Sequence, residues 1–451
     1  MGGYLSNLKP KIIKKLNLHY FKPTEEDILQ PEQPLSFKTK ILSNHWLSFE
    51  KNEIFLLISF FFLGGAFANY EPYAPFWLQD LFSVESFLII GLVTIIPSIA
   101  VAVGTSFWGY FADRFGIKKF VLLGIISYCF LFFSLIFTSS ATYFLVAVLI
   151  GSMLGAAQSS NFYALGEKIV EKPRTVIFAK MIGAISLSWV ILSPIVGWIG
   201  DRYEAEPLVA MKIQLIIAVV FCVNSLVIAS FIQEKNQIKN EIEENLKLSE
   251  KRNLTYFPYL FTVMMIVVFT WEMTGGFWAF ISIYFLDVLV IPRTIYGVYL
   301  IIKTALAIPL SYLLGRVKKH SKNTLIMIMF GTWSVIMFFF MMMFPENWLM
   351  ILLLYGIPMY PLYSVTYQNI LSDLTPKERR ATAFGIMSTI RTFGYICSIL
   401  LLGFIADKLV KGIFTMLIAS FVFSVIALAF ILVFYVMNRL NKAALRSTEF
   451  L

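Results

Sequence analysis

The chain has 451 residues, of which 58% are hydrophobic and only 14% charged, and its mean hydropathy is +0.76. A soluble domain carries about 25% charged residues, so this composition excludes a soluble enzyme, a nucleic-acid-binding domain and a disordered chain. The net charge of +10 is therefore read through its distribution, because Lys and Arg beside membrane segments report orientation.

Cys129, Cys222 and Cys397 fall in apolar stretches without close partners in sequence, which argues against a disulfide framework or a cysteine metal site. His19, His45 and His320 lie in polar segments, so a metal or haem site inside the bilayer lacks its usual ligands. No cofactor, metal or nucleic-acid partner is expected.

Residues 1–52 read as a basic cytoplasmic tail with no cleavable leader, the first apolar run then serving as both signal and anchor. Within the tail, Leu8, Ile12 and Leu16 interleave with Lys9, Lys11, Lys14 and Lys15. That spacing is open to two readings, a mobile tail or a short helix lying on an anionic leaflet. A helix crossing hydrocarbon needs about 20 apolar residues. About twelve runs qualify: 53–78, 86–109, 118–138, 142–166, 175–199, 209–232, 257–286, 295–315, 324–344, 348–371, 382–406 and 413–437. The first six make an N-terminal bundle (53–233) and the last six a C-terminal bundle (257–437). Residues 234–256, rich in Glu, Lys and Asn, read as a cytoplasmic linker, and 438–451 as a cytoplasmic C-terminal tail. With the N-terminus inside, 29 of the 37 Lys and Arg are cytoplasmic, against Arg202, Arg293, Lys408 and Lys411 outside. The positive-inside rule thus places both termini in the cytoplasm and the protein in the cell membrane.

The two halves match at an offset of 206 residues. Gly91 meets Gly297, and Gly109 meets Gly315. Arg174, Phe178, Met181, Gly197, Ile199 and Asp201 meet Arg380, Phe384, Met387, Gly403, Ile405 and Asp407. Such a parallel repeat of six helices is a transporter architecture, although duplication alone does not establish transport.

Between spans 2 and 3 the chain reads Gly109-Tyr110-Phe111-Ala112-Asp113-Arg114-Phe115-Gly116-Ile117-Lys118-Lys119. This resembles the signature loop of the major facilitator superfamily, G-x-x-x-D-R-x-G-x-K-K. Gly109 suits close helix packing and Gly116 a tight turn. The resemblance spans about residues 53–437. It implies that Gly109, Asp113, Arg114 and Gly116 form a cytoplasmic gating loop, fastening the halves in one state and releasing them in the other. In the second half Lys319 stands where the aspartate would be, within a basic loop of Arg316, Lys318, Lys319 and Lys322. In span 5, only Pro194 and Gly197 match a motif of exporters in this family, and span 4 has Leu149, Ile150 and Gly151 where proton-coupled relatives carry an arginine.

An ionised side chain in mid-span is costly and defaults to a functional hypothesis. Glu71, Lys180, Glu272, Lys303 and Arg391 are such residues. Lys180 is near enough to the cytoplasmic end to snorkel. Glu71 lies beside Pro72 and Pro75, which are expected to break the helix and open a polar pocket. Three readings stay open for Glu71, Glu272, Lys303 and Arg391: structural salt bridges, substrate binding, or proton coupling by a carboxyl whose exposure alternates. In a fold of the family's type, spans 1, 4, 7 and 10 line the cavity. Gln158 and Asn161 in span 4, and Tyr360, Ser364 and Tyr367 in span 10, are then the expected lining.

The expected fold is an all-α membrane protein, with twelve transmembrane helices in two pseudo-symmetric six-helix bundles. The expected function is secondary transport of a small organic solute by alternating access, the coupling ion being a proton if there is one, in a protein working as a monomer. A multidrug/proton antiporter is the alternative. A non-transporting enzyme or receptor on the same fold is the competing class, and the absence of a nucleophile or nucleotide-binding motif argues against an enzyme.

Overall fold

Hydrocarbon offers no hydrogen-bond partner to a peptide group, so apolar runs of this length are forced to satisfy their backbone internally, as helices. The computed structural model describes residues 50–169, 174–233, 258–315, 320–375, 380–409 and 412–448. Spans 1–6 are Lys51–Tyr70 continued by Ala74–Phe82, Phe87–Phe115, Ile117–Leu135, Ala141–Ile169, Arg174–Arg202 and Pro207–Ser230. Span 7 is Pro258–Gly275, extended by irregular turns as far as Val288. Spans 8, 9, 11 and 12 are Arg293–Gly315, His320–Met343, Arg380–Lys408 and Gly412–Thr448.

Span 10 differs in kind. It is a pair of helices, Trp348–Gly356 and Met359–Leu374, interrupted where Pro358 removes a backbone donor. Eleven helices among the described residues are long and apolar enough to cross a membrane, and this interrupted pair supplies the twelfth passage. Spans 3 and 4, with little between them in sequence, part at Ile136–Ser140, where the Ser140 hydroxyl accepts from the Tyr143 amide. Span 12 runs eleven residues beyond its expected end at 437. The tail patch (Leu8 to Lys15), the linker 234–256 and the loop residues Arg316, Lys318 and Lys319 lie outside the described residues.

Packing repeats as the sequence does. Span 1 packs on spans 5 and 6, span 4 on spans 2 and 3, and span 3 on span 6. Each pairing recurs in the second half: 7 on 11 and 12, 10 on 8 and 9, and 9 on 12. Large apolar side chains such as Phe130, Phe133, Phe137, Met329 and Leu353 stay exposed around the bundle, as a surface solvated by lipid requires. Inside the first half, Lys180 does not snorkel. It pairs with the buried Glu53 at 2.7 Å and so ties span 5 to span 1.

The halves meet through spans 5 and 8 and, equivalently, 11 and 2. Two symmetric sets of polar contacts join the halves at the end opposite the chain termini, here the far face. The Asp201 carboxylate, ending span 5, accepts from the Arg293 amide (2.7 Å), the Thr294 amide (2.8 Å) and the Thr294 hydroxyl at the start of span 8. The Asp407 carboxylate, ending span 11, accepts from the Ser86 hydroxyl (2.7 Å) and the amides of Phe87 (2.6 Å) and Leu88 (3.3 Å) at the start of span 2. The two aspartates and their amide donors are related by the repeat offset of 206 residues, whereas the hydroxyl donors, Ser86 and Thr294, are not equivalent positions.

These approaches depend on glycine. A Cβ at Gly197 would strike the backbone of Arg293 and Thr294, and one at Gly403 that of Phe87 and Leu88. The far face is reinforced by Gln79 donating to Asp287, by Arg293 at 3.6 Å from Asp80 and 4.4 Å above the Phe76 ring, and by Tyr73 packed edge-on against Tyr296.

Loss of an aspartate cap costs about 1 kcal/mol. Asp201→Ala with Asp407→Ala should therefore raise the population of far-face-open molecules by roughly tenfold or more. Distance distributions between spin labels at the far-face ends of spans 5 and 8 will measure it.

Candidate functional site

Span 1 breaks where its prolines predicted. The helix ends at Tyr70, turns through Glu71, Pro72 and Tyr73, and resumes at Ala74 with Pro75 in its first turn. Tyr70 and Tyr73 are buried, but Glu71 is exposed. Its carboxylate is in electrostatic reach of Tyr128 in the first half and of Tyr296 and Tyr395 in the second. Glu71 therefore faces a solvent-accessible space between the halves, not lipid.

The other three embedded charges separate into a pair and a single. Arg391 of span 11 donates through Nε to Glu272 of span 7 at 2.7 Å, with their side chains 31% and 11% exposed. Tyr363 stands beside the same carboxyl, and Tyr395 lies within reach of Glu272, Arg391 and Glu71. Lys303 is not part of this group. Its ammonium sits 4.1 Å from the ring centroid of Trp278 and 4.5 Å from that of Tyr355, two rings whose own centroids are 4.0 Å apart. Cation–π attraction to two faces holds it there. The depth is set by helix length, since ten residues from Arg293 place Lys303 about 15 Å below the far-face start of span 8.

The expected lining residues divide similarly. Gln158 is buried against span 3, with its amide beside the Tyr128 hydroxyl and its Oε1 given no partner by the described residues. Asn161 turns back on its own helix and donates to the Ala157 carbonyl at 2.8 Å. Tyr367 is buried and packs on Tyr363 at 5.0 Å, within an aromatic cluster that also holds Trp271 and Phe330. It is packing here. The side chains of Tyr360 and Ser364 lie outside those described.

In the loop between spans 2 and 3, Gly116 has a φ of +98°, the tight turn expected of it, and its amide is received by the Ala112 carbonyl. Gly109 departs from expectation. A Cβ there would meet nothing within 4 Å, so no close helix packing depends on it while the far face is closed. Arg114 is exposed and lies 4.7 Å over the Tyr110 ring. The Asp113 side chain lies outside those described.

Sequence reasoning missed Tyr395, Trp278 and Tyr355. All three are aromatic in a chain that is 16% aromatic, so no compositional signal distinguished them. The interrupted span 1, the ion pair across spans 7 and 11 and the duplicated far-face caps describe two bundles built around a charged centre. The Major Facilitator Superfamily description matches residues 56–399 of the chain. The chain belongs to that family. It is a multi-pass membrane transporter, not an enzyme.

Solved structures of similar fold include a point mutant of the nucleoside transporter NupG (13% identity, TM-score 0.63, covering 85% of this chain and 100% of that one). A D-xylose-proton symporter matches at 14% identity and a TM-score of 0.65, over 84% of this chain and 96% of its own. The POT family transporter PepTSo matches at 12% and 0.65, over 88% and 99%. At these identities the likeness is one of fold. No curated protein matches the chain in sequence.

Removing one partner of a half-buried ion pair leaves the other desolvated, at about 2 kcal/mol. Arg391→Gln should therefore lower the transporter's melting temperature in detergent by several degrees. Adding Glu272→Gln should recover part of the loss, because the buried charge goes with its partner.

Proposed function

We propose that this transporter moves a small organic solute across the cell membrane by alternating access, working as a monomer with both termini cytoplasmic and coupled to a proton at the Glu272–Arg391 pair. One observation carries the reading: the two aspartate caps, the Gln79–Asp287 hydrogen bond and the Arg293–Asp80 ion pair that join the halves gather at the far face. A bundle fastened at one face over a charged centre has the form of one end state of a rocking carrier. The excess of Lys and Arg at the terminal face makes that face cytoplasmic, so the state is closed to the outside.

The proton has a physical place in this scheme. Taking up H⁺ turns the Glu272 carboxylate into a carboxylic acid and ends its charge attraction to Arg391, which joins span 7 to span 11. Releasing the proton restores the pair. Protonation is thus tied to the packing of the second half. The D-xylose-proton symporter is an instance of proton coupling on the same fold. The loop of Gly109, Asp113, Arg114 and Gly116 serves the opposite state, when the cytoplasmic ends come together.

Purified protein in liposomes tests this with a panel of radiolabelled sugars, nucleosides, amino acids and peptides, with and without an imposed pH gradient. Glu272→Gln should abolish accumulation driven by the gradient while leaving counterflow intact. Unchanged proton dependence would remove the pair from coupling. Asp113→Asn should slow turnover severalfold by shifting the balance of the two states, and normal turnover with normal state populations would count against the loop as a latch.

A further inference from the structure

The embedded charges do not cancel locally. Glu272 is taken up by Arg391 and Lys180 by Glu53. Glu71 and Lys303 remain, and among the described residues neither has an ion-pair partner. They are opposite in sign and belong to different halves, Glu71 to span 1 and Lys303 to span 8. In this state Lys303 is met by two aromatic rings and Glu71 by solvent, and neither is met by an opposite charge.

Each charge is accompanied by the same second feature, a buried tyrosine whose hydroxyl has no partner. Beside Lys303 it is Tyr355, which is 1% exposed, and beside Glu71 it is Tyr70. Lys303 has three N–H donors, and two ring faces do not use them all. An acceptor reaching the ammonium would also meet the Tyr355 hydroxyl. Between the two charges run Tyr296, Tyr299 and Tyr355, packed in sequence with centroids 6.1 and 5.2 Å apart, and Tyr395 joins them from span 11. Tyr296, Tyr299 and Tyr355 are buried in this state, so the path from one charge to the other is a packed aromatic seam.

We propose that the solute is a zwitterion, its acidic group held by Lys303 and the Tyr355 hydroxyl, its protonated amine by Glu71, and its apolar body laid along the tyrosines between. The proposal rests on the carrier reading above and specifies its cargo. A singly charged solute would leave one embedded charge unmet, and an uncharged one would leave both. Because the two charges sit on different halves, a zwitterion also bridges the bundles, so it draws them together in a way a single charge does not. Binding and closure then have a common cause.

The probes are diphenylalanine and triphenylalanine, zwitterions of two lengths, each with its C-terminal amide (cation) and its N-acetyl derivative (anion). Binding is read as thermal stabilisation of the full-length protein in detergent, and transport as counterflow in liposomes. At least one zwitterion should bind tenfold or more tightly than both of its singly charged counterparts. Lys303→Gln should abolish the advantage over the amide, Lys303→Arg should restore part of it, and Glu71→Gln should abolish the advantage over the N-acetyl form. Equal binding of the counterparts, an unchanged preference in both Lys303→Gln and Glu71→Gln, or no binding by either zwitterion would overturn the proposal. Counterflow of xylose or uridine without zwitterion binding would overturn it while leaving the carrier reading in place. Stabilisation by a zwitterion with no counterflow of any solute would instead preserve the site and remove the carrier.

Discussion

The architecture turns on a carboxylate meeting the start of a helix that belongs to the other half. The first amides of a helix have no intrahelical acceptor and carry the positive end of its dipole. Asp201 and Asp407 supply the missing acceptors to spans 8 and 2. Each contact is weak by itself, of the order of 1 kcal/mol, and it is made at the protein's edge where water competes. A stronger bond would lock a carrier in one state. Two modest contacts placed symmetrically about the pseudo-twofold axis close the far face and still permit it to open.

The centre follows a different principle. There charges are expensive wherever water is scarce, so each ionic group is met by protein or stands open to solvent. Glu272 and Arg391 meet each other, and Lys303 is cushioned by Trp278 and Tyr355. Glu71 stands at a break in span 1 that no packing argument requires. The first half presents an acid and the second half a base, so the duplication that shaped the scaffold does not extend to the chemistry. Symmetry governs the hinges and asymmetry the cargo.

Much of this was legible in the residues. Apolar run length yielded the passages, and proline beside Glu71 foretold the broken helix. Matching Asp201 with Asp407 and Gly197 with Gly403 marked the positions that later prove to join the halves. What the matches mean was not legible, because the acceptors' partners are backbone amides, which have no letter in a sequence. Lys180 departs from expectation for a related reason: its partner Glu53 lies at the border of the first apolar run and reads as a helix start, a role it also plays in a capping box with Glu50. Tyr367, expected in the cavity, is packed among aromatics, since spacing along a helix specifies a face without saying what that face meets. Lys303 could be placed at depth from sequence alone, but its two rings come from spans 7 and 10, distant in the chain.

That the two caps engage main-chain donors has an evolutionary corollary. Residues 87, 88, 293 and 294 offer their amides whatever side chain they bear, so the caps themselves tolerate drift there, with imino acids barred because they lack the hydrogen and Arg293 and Thr294 held also by their side-chain contacts. The burden of heredity falls on the acceptors, two aspartates and the small residues one turn before them. A lineage could thus recast its interior for new nutrients or toxins without disturbing the closure, and comparison of distant cousins should find variety on one side of each seam and constancy on the other.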